Sequence, residues 1–211
     1  MMELLVVVLI IAITAMLAGP AWRAAAEERR TSEAALDLVR VFRRMRSESM
    51  AYGRAHILRY TTADSGTFEV YRGTASECNS NLWAPLVAEG PCGDTVAFPN
   101  SYCVDGFSMA DEAYSIGGTT IQVTAVASKG GTASLNAATD ICFEPMGRMM
   151  WRAGDSLVSA DARMVEGTNG SAMGDTGGGF LFEFQRLEGS TKVGVARYVA
   201  IPLGGDARLL R

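Results

Sequence analysis

The stretch that decides the fold is "MMELLVVVLIIAITAMLAGPAWRAAAEERRTSEAALDLVRVFRRMRSESMAYGRAH", at residues 1–56. The interval from Leu4 to Gly19 contains no charged side chain. As an α-helix it would extend about 24 Å, because each residue adds about 1.5 Å. It is too uniformly apolar for a helix that covers a soluble core with only one face. The sequence therefore predicts a membrane-inserting helix over residues 1–22, with Glu3 near its start.

Two simpler explanations of the apolar segment remain open. A cleaved secretory signal would carry a positive charge before its apolar core, whereas Glu3 stands there, although the small-residue stretches "AGPA" and "AAA" could serve as cleavage sites. A plain single-pass anchor explains the hydrophobicity but gives no reason for Glu3. A carboxylate costs about 2.5–3.5 kcal/mol at the centre of a bilayer helix, so its presence there calls for a role.

Residues 23–54 are predicted to continue the helix as an amphipathic segment. Pro20 has no backbone N–H and is expected to bend or loosen the helix, and Gly53 is expected to end it. Spacings of three and four residues define an apolar stripe that comprises Ala35, Leu38, Phe42, Met45, Ser49 and Tyr52. The opposite face carries the charged residues Glu33, Asp37, Arg40, Arg43, Arg44 and Glu48. We interpret this face as solvated with intrahelical ion pairs, and the alternative is a surface between subunits.

Residues 55–211 form a predicted head domain that is rich in β-strands. Short alternating runs are separated by glycine, asparagine and aspartate, a pattern typical of antiparallel sheets. The runs are "ILRYTT", "TFEVY", "DTVAF", "TTIQVTAVA", "DICFEP", "RMMW", "GFLFEFQRL" and "VGVARYVAIPL". Phe180, Phe182 and Phe184 lie on one face of their strand and are predicted core residues, and residues 159–179 are a predicted exposed loop. The predicted fold is thus α+β, a long N-terminal helix packed on an antiparallel, sandwich-like head.

The chain has 211 residues, a net charge of −4 and four cysteines, Cys78, Cys92, Cys103 and Cys142. Nothing in this charge points to nucleic acid. No CxxC pair occurs, so we expect no metal site. An even number of cysteines behind an apolar segment favours two disulfides in an oxidising compartment. Three connectivities are possible, and short loop closure favours Cys78–Cys92 and Cys103–Cys142. The alternative is four buried thiols in a cytoplasmic protein.

The first 22 residues resemble the start of a mature type IV pilin or pseudopilin. Glu3, Leu4 and Leu5 match the Glu-Leu-Leu core of that family's segment, and Pro20 falls where the family has a helix-kinking proline. The resemblance implies a basic leader, a glycine, and a phenylalanine and threonine ahead of Met1. It also implies that Glu3 pairs with the N-terminal amine of a neighbouring subunit during assembly.

Three later stretches are similar to GspH/FimT-type minor pseudopilins: "RMRSESMAYGRAHILRY" from residue 44, "ICFEPMGRM" with Phe143, Pro145 and Gly147, and "VARYVAIPLGGDARL" from residue 195. Residues 72–118 have no counterpart. The resemblance implies a minor subunit that helps to initiate or cap a type IV pilus or a type II secretion pseudopilus. Its implied partners are other major and minor pilins, the inner-membrane assembly platform and the membrane. The implied location is the bacterial inner membrane before assembly, and then a periplasmic or cell-surface filament.

Two other functions compete with filament assembly. A FimT-like subunit for DNA uptake would use a C-terminal Gly-Arg-x-Arg stretch, but Asp206 replaces the first arginine and would repel phosphate. Arg197, Arg208 and Arg211 are the candidate DNA contacts, and we do not expect nucleic-acid binding. The second alternative is a plain membrane-anchored extracytoplasmic β-domain.

We do not expect an enzyme or a cofactor. No nucleophile-elbow, zinc-protease or phosphate-loop motif occurs. The single histidine, His56, lies between helix and strand, where a residue with a satisfied hydrogen bond is a better interpretation than a catalytic base.

Overall fold

The structure is a computed structural model, and it describes residues 2–78, 101–114, 119–129, 131–134, 139–153, 165–166, 179–202 and 206–210. For Glu3 and Pro20 it describes the backbone, which is helical. Four predictions lie wholly or largely outside these residues: the strand "DTVAF", the roles of Cys92 and Arg211, and the exposed loop at 159–179.

The helix α1 runs without interruption from Met2 to Tyr52, through Pro20. It ends at Gly53 as predicted, because Gly53 has a φ of +63°, a left-handed conformation that side chains other than glycine's adopt at a cost. The backbone N–H of Arg54 then donates to the carbonyl of Ser49 at 3.3 Å. This bond satisfies one of the last free carbonyls of the helix, as in a Schellman motif.

The rest of the described chain is built from short strands and one 3₁₀ turn at Ala63–Ser65. The strands are β1 (His56–Thr61), β2 (Thr67–Gly73), β3 (Ser101–Ser108), β4 (Thr119–Lys129), β5 (Gly131–Ser134), β6 (Thr139–Phe143), β7 (Met149–Ala153), β8 (Val165–Glu166), β9 (Gly179–Glu188), β10 (Thr191–Pro202) and β11 (Arg208–Leu210).

Within the described residues these strands form two sheets. One has six strands in the order β3-β2-β1-β6-β7-β8, and the other has five in the order β11-β10-β9-β4-β5. Every pairing is antiparallel. The α+β class and the antiparallel sheets are therefore confirmed.

The alternating runs in the sequence locate six strands well, namely β1, β2, β4, β6, β9 and β10, and also the start of β7. The predicted runs do not include β3, β5, β8 and β11, of which β3 is the longest. Its sequence "SYCVDGFS" includes aspartate and glycine, which are poor strand formers. It pairs with β2 across an irregularity at Val70 and Tyr71, so its position depends on that neighbour.

The predicted stripe of α1 packs on the head. Ala35, Leu38, Phe42, Met45 and Ser49 are buried, whereas Tyr52 is 58% exposed, so the stripe ends one turn earlier than predicted. Phe42 meets the ring of Phe143 edge-on, with ring centroids 4.8 Å apart. The Ser49 hydroxyl donates to the carbonyl of Phe143 at 3.1 Å, which satisfies a polar group inside the core.

The two sheets and α1 share one apolar core, as a sandwich-like head requires. Phe180, Phe182 and Phe184 are buried in it, which confirms their predicted role. The Tyr60 ring of β1 lies 5.4 Å from the Phe182 ring of β9. The Tyr60 hydroxyl also donates to the carbonyl of Val123 in β4 at 2.7 Å, so one side chain joins the sheets by packing and by a hydrogen bond.

The predicted disulfide pairing is wrong. Cys78 is bonded to Cys142, 64 residues away in sequence, and Cys103 is also disulfide-bonded. Sheet pairing decides this connectivity: β1 lies between β2 and β6, and the N–H of Ala55 bonds to the carbonyl of Ala75, so the chain after β2 is drawn back towards β6. Loop-closure entropy favours the short loop by only about 0.6 kcal/mol per doubling of length, which is too little to override that geometry.

Candidate functional site: the exposed half of the helix

The N-terminal half of α1 stands clear of the head. Between Leu4 and Ala26, every residue whose side chain the structure describes is exposed. The large apolar side chains there are half to four-fifths exposed, and they are Leu4, Val6, Val7, Val8, Leu9, Ile10, Ile11, Ile13, Met16 and Trp22. Isolated apolar side chains on a surface are ordinary, but a continuous run on all sides of a helix marks a surface that another apolar phase or partner covers.

The one hydroxyl in this run is bonded within the helix. Thr14 Oγ1 donates to the carbonyl of Ile10 at 2.9 Å and lies 3.0 Å from that of Ile11. A hydroxyl that bonds to its own helix needs no water, and this is how threonine is accommodated in apolar surroundings. The exposed half therefore presents no unsatisfied polar side chain between Val6 and Met16.

Among the residues that the structure describes, no helix meets the combined requirement of length and apolar character for crossing a membrane. The transmembrane role of residues 1–22 stays a prediction.

Ion pairs fix the helix where it enters the head. Arg197 of β10 donates from Nη2 to Glu28 Oε1 at 2.6 Å and from Nε to the Ser32 hydroxyl at 2.9 Å. Arg186 of β9 lies 3.2 Å from Glu27 through Nη1 and Oε2. Arg186 is two residues from Phe184 in β9, and Arg197 is two residues from Val199 in β10. Each arginine therefore lies on the inward face of its strand, at the end of the core that is nearest to the exposed half of α1. The lower end of the apolar core is thus closed by paired charges.

The charged face of α1 beyond this point carries the predicted ion pairs within the helix. Exposed pairs within the helix join Arg29 to Glu33, Arg40 to Asp37, and Arg44 to Glu48. The hydrogen bond to Glu48 is the main reason that the pKa of Arg44 is raised.

The same face also reaches the head. Arg44 Nη1 lies 3.2 Å from Asp105 Oδ2 in β3, and Arg43 bonds to the side chain of Asp206 and to the carbonyl of Ala207, each at 3.2 Å. The Tyr114 hydroxyl donates to Asp37 at 3.0 Å, and burial raises the pKa of that phenol.

The candidate DNA contacts do not gather into one exposed basic patch in the described residues. Arg197 is largely buried and bound to Glu28, whereas Arg208 is exposed on β11. Asp206 lies two residues before Arg208 in sequence and pairs with Arg43. Phosphate recognition would have to compete with these internal pairs.

His56 is the first residue of β1 and is fully buried. Its Nδ1 lies 3.1 Å from the carbonyl of Arg54, in agreement with the predicted hydrogen bond. Its Nε2 has no hydrogen-bond partner in the described part of the chain and lies 3.9 Å from Glu48 Oε2. Burial lowers the pKa of the imidazole, so the neutral ring is favoured.

Sequence reasoning missed a buried ion pair on the outer face of the six-stranded sheet. Arg59 and Asp140 stand opposite each other in β1 and β6, and each side chain is only 2% exposed. Two parallel bonds join them, Nε to Oδ1 at 2.6 Å and Nη2 to Oδ2 at 2.8 Å. Tyr71 lies beside this pair and donates to Glu69 at 2.9 Å, and burial raises the pKa of the tyrosine.

A cleft of about 560 Å³ lies at the far end of the helix, lined by Gly53, Ser76, Glu77, Glu144, Pro145, Met146 and Arg148. Glu144 is already engaged there, because it accepts the N–H of Cys78 at 3.2 Å and lies 3.4 Å from Arg148. Within the described ranges, no group of histidine, cysteine, aspartate or glutamate side chains could hold a metal ion.

Comparison with known proteins adds no relative to these observations: the chain matches no protein-family model, no curated protein and no solved structure.

Proposed function

We propose that this protein is a minor pilin or pseudopilin, a subunit that helps to initiate or cap a type IV pilus or a type II secretion pseudopilus. Its apolar N-terminal half would be held in the bacterial inner membrane before assembly and would pack among the helices of neighbouring subunits afterwards. Its partners would be other major and minor pilins and the inner-membrane assembly platform.

The observation that carries the proposal is the exposed run from Leu4 to Met16. Burial of apolar surface contributes roughly 25 cal/mol per Å², so an uncovered helix of this composition has a large tendency to enter lipid or to pack on similar helices. The family resemblance implies both environments one after the other: the helix lies first in the membrane and then among the helices of the filament.

The continuity of α1 supports the proposal in a second way. One uninterrupted helix contains both the exposed run and the segment from Thr31 to Ser49 that packs on the sheets. Ion pairs at Glu27 and Glu28 fix the helix at the boundary between the two halves. The head can therefore present the apolar half in a defined direction, which assembly into a regular filament requires.

Glu3 provides the test that separates a filament subunit from a plain membrane anchor. In the proposed mechanism its carboxylate pairs with the N-terminal amine of a neighbouring subunit in a low-dielectric environment, where such a pair is strong. Glu3→Ala should leave the protein in the membrane fraction but reduce its incorporation into sheared filaments about tenfold or more, as expected for the loss of a charge-assisted bond of about 1.5–3 kcal/mol.

Glu33→Ala is the matched control, because Glu33 is an exposed acid on the same helix that pairs with Arg29. It changes the net charge equally and should incorporate like the wild type. Normal incorporation of Glu3→Ala would refute the proposed pairing.

A strain that lacks the gene for this protein would show whether the subunit belongs to a type IV pilus or to a type II secretion pseudopilus. Loss of surface filaments with normal secretion points to a type IV pilus, and loss of secretion with normal filaments points to a type II pseudopilus. If neither changes in a strain that also lacks redundant minor subunits, the proposal is wrong and the anchored β-domain is the better description.

A further inference from the structure

The inference concerns the neck of the molecule, which we define as Arg23, Glu27, Glu28, Arg30, Arg186 and Arg197. These residues surround the point where α1 leaves the head. We infer that the neck binds the anionic headgroups of a phospholipid bilayer while residues 1–22 are inserted. This inference rests on the membrane insertion that is part of the proposed function.

The order of residues along α1 matches the order of layers in a bilayer. The apolar run is followed by Trp22, which is 80% exposed, and then by Arg23, which is also exposed. Tryptophan is enriched where hydrocarbon meets headgroups, and arginine near a helix end extends its charged group to the same level. The sequence change at Trp22 thus places Arg23 at headgroup height, and Arg30 follows about 10 Å further along the helix axis.

The neck carries a positive charge in an acidic protein. It contains four arginines and two glutamates, so its formal charge is +2, whereas the chain as a whole carries −4. Glu27 and Glu28 are occupied by Arg186 and Arg197. The surplus charge therefore belongs to Arg23 and Arg30.

Arg30 has a particular need for an anion. It is half-buried on the head side of α1, one turn before the buried Ala34. Its Nη1 is shielded from solvent and has no hydrogen-bond partner in the described part of the chain. A shielded guanidinium nitrogen without an acceptor is unfavourable, and a phosphate oxygen that reaches Nη1 would supply that acceptor through a charge-assisted hydrogen bond.

The length of the apolar run favours lipid as the source of that phosphate. From Leu4 to Gly19 the helix extends about 24 Å, whereas the hydrocarbon core of a bilayer is about 30 Å thick. A short apolar segment draws its flanking residues into the headgroup layer. Arg23 would then lie among lipid phosphates.

The test measures the choice of the full-length protein between two kinds of vesicle. Vesicles of phosphatidylcholine alone and vesicles that also contain phosphatidylglycerol are offered together at about 0.1 M salt, and the bound protein is quantified after flotation. Each arginine near an anionic surface contributes about fivefold to partitioning, so the wild type should prefer the anionic vesicles by about thirtyfold through Arg23 and Arg30. The double variant Arg23→Gln/Arg30→Gln should lose this preference and still bind neutral vesicles.

The double variant Arg40→Gln/Arg208→Gln is the control. It removes the same charge from exposed positions, and Arg40 is about 15 Å further along the helix than Arg30, beyond a Debye length of about 10 Å at 0.1 M salt. It should keep the preference for anionic vesicles.

The outcomes separate the inference from the proposed function. Equal binding of the wild type to both vesicles, or an unchanged preference in Arg23→Gln/Arg30→Gln, would overturn the inference and leave membrane insertion intact. Failure of the wild type to bind either vesicle would refute insertion and the inference together. If the neck variant keeps its lipid preference but loses self-association, the neck binds an acidic surface of a second copy instead of lipid.

Discussion

Replacement of Asp140 by alanine is expected to destabilise the head by about 3–5 kcal/mol, because it leaves the guanidinium of Arg59 buried without its carboxylate. The two side chains face each other across β1 and β6 with bonds of 2.6 and 2.8 Å, and both are 2% exposed. For a chain of this length each kcal/mol corresponds to about 2–4 °C in Tm, so the melting temperature should fall by about 6–20 °C.

We attribute the expected loss of stability in Asp140→Ala to the unpaired charge of Arg59, and a second variant can test this. Arg59→Met/Asp140→Leu removes both charges and replaces them with apolar groups of similar size. Such replacements of buried ion pairs are often neutral or stabilising, so the double variant should melt well above Asp140→Ala. The comparison shows whether the ion pair itself adds to the free energy of unfolding, or whether stability falls only when one charge is left buried without the other.

Thermal unfolding of the full chain in mild detergent, followed by near-ultraviolet circular dichroism, would provide the measurement. Arg40→Ala is the surface control: Arg40 is 73% exposed in its pair with Asp37, and such pairs contribute about 0–1 kcal/mol. A loss below about 1 kcal/mol in Asp140→Ala would show that water reaches this face of the sheet and would refute the argument.

Three further predictions concern stability, measured by unfolding of the same preparation. Gly53→Ala should cost about 1 kcal/mol, because its φ is +63° while its surroundings are open to an added methyl group, and Asn at this position should cost less. Burial raises the pKa of Tyr60 to about 12, so the stability that its neutral form provides should be complete below pH 10 and lost as the pH rises towards 12; Tyr60→Phe should reduce this decline and leave the share of the similarly raised Tyr71 and Tyr114. Serine in place of both Cys78 and Cys142, which are 64 residues apart, should cost about 4 kcal/mol, and an unchanged midpoint under oxidising conditions would contradict the chain-entropy argument.

Local patterns determine much of this fold, which is why they could be predicted. The spacing of Ala35, Leu38, Phe42 and Met45 depends only on the helical repeat, and the alternation of Phe180, Phe182 and Phe184 depends only on the pleat of a strand. In both cases the residues that recur on one face are the ones that the structure buries. Gly53 could be identified because a left-handed residue after a helix strongly favours glycine.

Two features could not be predicted, the buried ion pair of Arg59 with Asp140 and the disulfide pairing, because both depend on contacts between elements that are distant in sequence. Arg59 alternates with the core residues Leu58 and Tyr60, so alternation alone would place it in solvent. It is buried on a face that also carries a second apolar cluster, which includes Ile57, Tyr71, Cys142 and Met150. The disulfide pairing has the same origin, because it follows the order of strands in the sheet and not their order in sequence.

The long seam between α1 and the head has a mechanical consequence. Buried helix residues extend from Thr31 to Ser49, a distance of about 27 Å along the axis. A force that pulls the exposed end along that axis loads these contacts in shear, so they must yield together, whereas a sideways force would peel them one after another from Glu27 upwards. A force along the helix axis can therefore pull the head without detaching it, whereas the same force applied from the side would separate the helix from the head.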